Sequence, residues 1–150
     1  MALDVETGLA RWHFQTVHHD LWDMDMPVGP TLIDFAGRPA LLQTTKRGEM
    51  FILDRASGKP MTRVVEKPAP RGDVKGEYYA PTQPWNMGLE SLSVPDIRES
   101  DAWGATLLDQ LVCRVSFRAL RYDGAFTPPS LQGSLVHPGY FGIADWGGAA

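Results

Sequence analysis

The chain has 150 residues, with 14 Lys+Arg against 18 Asp+Glu, four His and a formal net charge of −4 at pH 7. That length suits about one ordinary domain, and 43% hydrophobic residues with five Trp and only 21% charged residues exclude a disordered tail. Thinly spread Lys and Arg argue against nucleic acid as a partner, the single Cys113 excludes an internal disulfide, and no stretch approaches the roughly 18 to 20 apolar residues of a membrane-spanning helix.

Fifteen Gly and twelve Pro, with aromatic and β-branched clusters between turn residues, favour short strands over long helices. The chain opens on Ala2-Leu3-Asp4-Val5-Glu6-Thr7-Gly8, read as a strand ending in a tight turn: the Asp carboxylate accepts backbone N–H bonds, the Thr hydroxyl helps close the turn, and Gly supplies positive φ. Arg11-Trp12-His13-Phe14-Gln15-Thr16 then alternates large apolar with polar residues, as a strand does.

Next comes the densest charged constellation, His18-His19-Asp20-Leu21-Trp22-Asp23-Met24-Asp25. Three carboxylates and two imidazoles in eight residues are costly to bury unpaired, so they lie at the surface or around a cation. Carboxylates suit a hard ion such as Ca²⁺ rather than zinc. If the segment is extended, Asp23 and Asp25 face one way, Trp22 and Met24 the other. An acidic loop capped by aromatic packing fits the same residues.

Leu41-Leu42-Gln43-Thr44 reads as an apolar strand that delivers Lys46 to a turn before Met50-Phe51-Ile52-Leu53-Asp54. A cation at a strand end reaches a cleft where strands converge, or is simply solvated. The second strand runs into Ile52-Leu53-Asp54-Arg55-Ala56-Ser57-Gly58, which repeats the opening pattern fifty residues later. Met61-Thr62-Arg63-Val64-Val65 should be the following strand. A strand repeat of this period is the signature of propeller blades, and 150 residues hold at most about three of them.

Pro60, Pro68, Pro70, Pro81 and Pro84 mark the next stretch as a long surface excursion, because proline denies ladder hydrogen bonds. Asp101 to Phe117 offers the one helical periodicity, with Leu107, Leu108, Leu111, Val112 and Val115 on one face. Val112 to Phe117 also reads as a strand, so a short helical turn running into a strand is expected. Ser116, Ser130 and Cys113 sit in no nucleophile context, and no glycine-rich phosphate loop occurs.

Several motifs together carry a resemblance: Arg11-Trp12-His13-Phe14-Gln15-Thr16-Val17-His18-His19-Asp20-Leu21-Trp22-Asp23-Met24-Asp25, Phe51-Ile52-Leu53-Asp54-Arg55, Pro81-Thr82-Gln83-Pro84, Trp103-Gly104-Ala105-Thr106, Asp109-Gln110-Leu111-Val112-Cys113-Arg114, Phe126-Thr127-Pro128-Pro129-Ser130 and Trp146-Gly147-Gly148. In this order, over nearly the whole chain, they resemble the membrane-bound quinoprotein dehydrogenases that use pyrroloquinoline quinone (PQQ). Asp-Gln-Leu-Val-Cys-Arg and Phe-Thr-Pro-Pro-Ser look most like the glucose branch, with the quinate/shikimate branch close behind.

The resemblance implies an all-β fold, an eight-bladed propeller with PQQ and Ca²⁺ near its axis, on the periplasmic side of the bacterial inner membrane and preceded by membrane helices. It implies oxidation of an aldose, glucose to gluconolactone, with electrons passed to ubiquinone. Asp23 matches the catalytic base and calcium ligand, Lys46 the cation beside the quinone carbonyls, and Trp146 with Asp145 residues near the cofactor. The family's other calcium ligands, a Glu and an Asn, match nothing here. Residues 1–150 are therefore expected to be a partial propeller of two to three blades with a long Pro-rich loop, inactive alone. The rivals are a quinate, shikimate or cyclic polyol dehydrogenase of the same family, and a non-catalytic truncated propeller module with an open edge strand.

Overall fold

A computed structural model describes residues 1–149. Its elements are β1 (Ala2–Leu3), β2 (Ala10–Trp12), β3 (Thr31–Phe35), β4 (Arg38–Thr44), β5 (Met50–Asp54), β6 (Val64–Pro68), β7 (Thr82–Asn86) and one helix, α1 (Leu107–Ala119). They form three small antiparallel sheets, β1-β2, β3-β4-β5 and β6-β7. The middle sheet gains a fourth edge where Leu53 bridges Pro60 and the Met61 amide donates to the Ile52 carbonyl (2.8 Å). A three-stranded sheet with one bridged residue on its outer strand is thus flanked along the chain by two two-stranded sheets, as pieces of neighbouring blades would be.

The two repeated turns have the same hydrogen bonds. Asp4 Oδ1 accepts from the amides of Glu6 and Thr7 and the Thr7 hydroxyl at 3.2, 2.9 and 2.8 Å. Asp54 Oδ1 accepts from Ala56, Ser57 and the Ser57 hydroxyl at 3.1, 2.9 and 2.8 Å. Gly8 and Gly58 close them at φ +70° and +68°. One difference ties the units together: Trp12, just past the first turn, lies over Gly58 of the second and donates from Nε1 to the Arg55 carbonyl (3.2 Å). A side chain on Gly58 would sit 2.3 Å from the Trp12 ring. Repeat-to-repeat packing of this kind lets small sheets bury their faces.

Two apolar clusters form the core. Leu41, Phe51 and Leu53 gather Trp12, Phe14 and Val64, joining all three sheets. Trp22, Met24 and Phe126 gather Val17, Leu21, Trp85, Ala125 and Val136, fixing the loop between β2 and β3.

Four expectations need correction. The strand after Trp12 is short; residues 13–16 keep their alternation of burial but join no ladder, although Phe14 still stacks on Phe51 at 5.3 Å. The strand expected at Met61 starts at Val64 and pairs in the next sheet, and the Pro-rich excursion begins as the β6-β7 ladder with Pro68 and Pro84 inside it. Bonds at Met87 N to Arg63 O and Ala69 N to Pro81 O put both prolines in non-hydrogen-bonded pairs, where no ladder donor is lost.

Finally, Val112 to Phe117 is helix, not strand. Thr106 and Asp109 form a reciprocal capping box, and Arg114 and Arg118, one turn apart, both pair with Glu99. The Thr106-x-x-Asp109 spacing was the decisive signal. The expected apolar face does form, but Leu107, Leu108, Leu111, Val112 and Val115 are all exposed.

Candidate active site

The turn joining β4 to β5 departs from the usual solvent-facing loop. Every residue from Gln43 to Glu49 is buried, and Lys46, Arg47 and Glu49 are only 9, 4 and 2% exposed. Thr45 N donates to Glu49 O (3.1 Å) and Gly48 N to Thr45 O (2.9 Å), with Gly48 at φ +79°. Neighbouring segments satisfy the rest: Ile143 N donates to Lys46 O (2.7 Å) and Leu92 N to Gly48 O (2.9 Å). Three buried charges on one short turn demand specific partners.

Lys46 finds them in the loop after β2. Its Nζ lies 3.0 Å from both the carbonyl and Oδ2 of Asp23, and 2.5 Å from Asp25 Oδ1. The charge-assisted bonds to Asp25 and Asp23 raise the Lys46 pKa above its usual 10.5, outweighing the effect of burial, so the side chain stays cationic at neutral pH. Asp23 adopts φ +62°, which turns its carbonyl and carboxylate toward the same ammonium group. The alternation is as expected: Trp22 and Met24 are 5 and 4% exposed, whereas the Asp23 and Asp25 side chains are 66 and 56% exposed.

Anchors on both sides hold this loop. Trp22 Nε1 donates to the Thr127 carbonyl (2.6 Å), its ring meets Phe126 edge-on at 5.2 Å, and its amide donates to Asp20 (2.9 Å). His18 Nε2 lies 3.0 Å from Glu66 and His19 Nε2 3.2 Å from Glu77. The two histidines and Asp20 orient the loop. Gln83, fully buried, accepts from His18 N (2.7 Å) and donates to His18 O (2.8 Å), mimicking a strand partner.

The structure brings together two residues that the sequence marks separately, Asp23 and Lys46, 23 positions apart. Sequence reasoning missed Asp25 as the second partner of Lys46, and Gln83 as the clamp. Asp145 and Trp146 are solvent-exposed, Trp146 at 83%. Their segment reaches the turn through Ile143 and through Gly142, where a Cβ would lie 2.6 Å from the Lys46 carbonyl.

The arrangement suits hard oxygen chemistry. Among the described residues, Lys46 engages one oxygen of each carboxylate and no protein donor takes the other. No group of three or more His, Cys, Asp or Glu among the described residues could by itself hold a metal ion. Asp23 and Asp25 therefore fit a hard cation as part of a coordination sphere only.

The profile of the PQQ family described as the glucose/ethanol/alcohol dehydrogenase β-propeller domain matches residues 1–150. The chain belongs to this family. It is 50% identical to the glycerol dehydrogenase large subunit of Gluconobacter oxydans over 98% of its length and 21% of that protein's. Over 99% of its length it is 49% identical to the quinoprotein glucose dehydrogenase of Escherichia coli and 46% identical to a probable quinate dehydrogenase (quinone) of Xanthomonas campestris, covering 19% of each. The chain spans about a fifth of the length of the curated relatives it matches. No solved structure matches it. Membership of the PQQ family bears out the propeller reading, and PQQ is the cofactor that the family implies.

Proposed function

We propose that residues 1–150 supply the base and the cofactor-facing cation of a PQQ-dependent dehydrogenase acting on a hydroxyl of an aldose, with glucose as the leading substrate. The observation that carries this reading is the contact of Lys46 Nζ with both Asp23 and Asp25. Asp23 takes the proton of the substrate hydroxyl on its free carboxylate oxygen. Lys46 holds that carboxylate in one orientation and presents fixed positive charge where negative charge develops. PQQ, when bound, supplies the two-electron acceptor, so that the hydride leaves carbon as the proton leaves oxygen. Asp23 and Asp25 would add oxygen ligands to Ca²⁺, the remainder coming from other parts of the propeller. Trp146 and Asp145 lie on the segment that packs on Lys46, which suits a place near the cofactor.

Ubiquinone as electron acceptor and a periplasmic setting at the inner membrane belong to the same proposal and rest on the resemblance. A second reading, oxidation of quinate, shikimate or a polyol such as glycerol, is favoured by the similar identity to relatives named for those substrates. The test is dye reduction by the whole propeller protein reconstituted with PQQ and Ca²⁺, with glucose, quinate, shikimate and glycerol compared by kcat/KM. Highest kcat/KM with glucose, dependent on both additions, is expected. Highest kcat/KM with quinate or glycerol replaces the substrate, and PQQ binding without turnover of any of them overturns the catalytic reading in favour of a non-catalytic module.

A further inference from the structure

Arg47, the neighbour of Lys46, points elsewhere and into a different environment. Its guanidinium lies in the corner formed by two rings, 4.4 Å from the centroid of Trp85 and 4.0 Å from that of Phe126, whose centroids are 5.9 Å apart with near-perpendicular planes. The aromatic corner holds the cation by its ring faces and leaves the N–H edge for bonding. Glu49 is the nearby acid, but its carboxylate is already taken, Oε2 by the Asn86 amide (3.2 Å) and Oε1 by the Ser91 hydroxyl (2.9 Å). Burial lowers the Arg47 pKa to about 10, partly opposed by the charge of Glu49, and the group is still cationic at neutral pH.

Among the described residues, two buried side-chain polar atoms have no hydrogen-bond partner, Arg47 Nη1 and His137 Nε2. Both residues line the same cavity, of about 290 Å³, between β7, the 91–96 segment and residues 125 and 137–138. Unpartnered buried polar atoms are rare because each forfeits its hydration, and two in one cavity point to a ligand that satisfies both. Lys67, whose ammonium lies 4.5 Å from the Trp85 ring centroid, adds a second cation to the wall. The second acid of the lining, Asp96, already accepts from the Tyr122 hydroxyl (3.1 Å). The two unpartnered nitrogens thus share one cavity with two cations, Arg47 and Lys67, while each acid of the lining is engaged by a donor.

We propose that this cavity binds a small oxyanion, a carboxylate or phosphate group, between Arg47 Nη1 and His137 Nε2. A planar guanidinium edge is the preferred partner of either group, and an imidazole N–H supplies the second bond. The volume of about 290 Å³ accommodates a carboxylate or phosphate group with room for the small molecule that carries it. The site is separate from the Asp23–Lys46 contact and does not depend on the redox reading.

The test is a side-chain NMR titration of the full chain at neutral pH, following the Arg47 guanidinium and Trp85 indole signals. Inorganic phosphate and acetate are added separately against chloride at matched ionic strength. A saturable shift of both signals with phosphate or with acetate, absent with chloride, is expected, and the tighter of the two identifies the source. His137→Ala should weaken binding about tenfold, the loss of one hydrogen bond to a charged group, and Arg47→Gln should abolish it. Because Arg47 is a core group, His137→Ala, with its backbone signals unchanged, is the variant that decides. No saturable response to either oxyanion, an equal response to chloride, or unaltered affinity in His137→Ala overturns the proposal.

Discussion

Gly58→Ala tests whether Trp12 docks on the second repeated turn, and the molecule contains its own control. Gly8 and Gly58 occupy the same position of the same turn at φ +70° and +68°, but nothing lies within 4 Å of a Cβ built on Gly8, whereas one on Gly58 meets Trp12 at 2.3 Å. Alanine at either site costs about 1 kcal/mol for left-handed backbone, partly offset by about 0.4–1 kcal/mol from the stiffer unfolded chain. Those two effects are common to both sites and cancel in the comparison. What remains at Gly58 is displacement of a packed indole, about 1–3 kcal/mol by the usual cost of overpacking. In urea unfolding followed by circular dichroism, with a slope of about 2 kcal/mol/M, Gly58→Ala should therefore unfold at a midpoint lower than Gly8→Ala by about 0.5–1.5 M. In a Trp12→Ala background the difference should vanish, since the clash partner is gone. Equal midpoints for the two single variants, or a difference that survives removal of Trp12, would refute the docking argument.

Other consequences are as specific. Trp22→Phe keeps the ring against Phe126 but strips the buried Thr127 carbonyl of its donor, so stability should fall by about 1–3 kcal/mol in the same unfolding measurement. Gln83→Ala removes both bonds to the His18 backbone, and amide exchange at His18 should quicken by about tenfold or more while exchange in β4 and β5 is unchanged. Asp54 is held below its ordinary 3.8 by the Ser57 hydroxyl and amide, assisted by Arg38 and Ala56. A depressed carboxyl stabilises the fold above its unfolded value and loses that contribution as pH falls through the folded one. Asp54→Asn should thus be less stable than the parent at pH 7, with the gap closing below pH 3.8 as urea midpoints are followed against pH.

The sequence made the repeated turns legible because one Asp, one hydroxyl and one Gly at fixed spacing fully determine the local geometry. Asp23 and Lys46 were legible one by one through family motifs, but their contact was not, since no periodicity links a loop residue to a hairpin turn 23 positions away. Burial of the whole Thr45–Glu49 turn could not be read, because charged residues in a turn ordinarily signal solvent; the neighbouring segments at Leu92 and Ile143 cover it. Gln83 was hidden for a related reason: its partner is the backbone of His18, and backbone carries no sequence label. The helix was half-read, since β-branched and aromatic residues at Val112 to Phe117 suit either state and the cap upstream decides between them.

The most direct test of the central claim places this chain in the position of the matching fifth of a PQQ-dependent glucose dehydrogenase and compares that chimera with its Asp23→Asn variant. Binding of PQQ is checked first by its absorbance, then turnover by dye reduction with glucose. With Asp23 the chimera is expected to bind PQQ and turn over, and Asp23→Asn should keep PQQ binding while kcat falls at least about a hundredfold, the usual scale of a lost general base. An Asp23→Asn chimera that binds PQQ and turns over as fast as its parent would contradict the account.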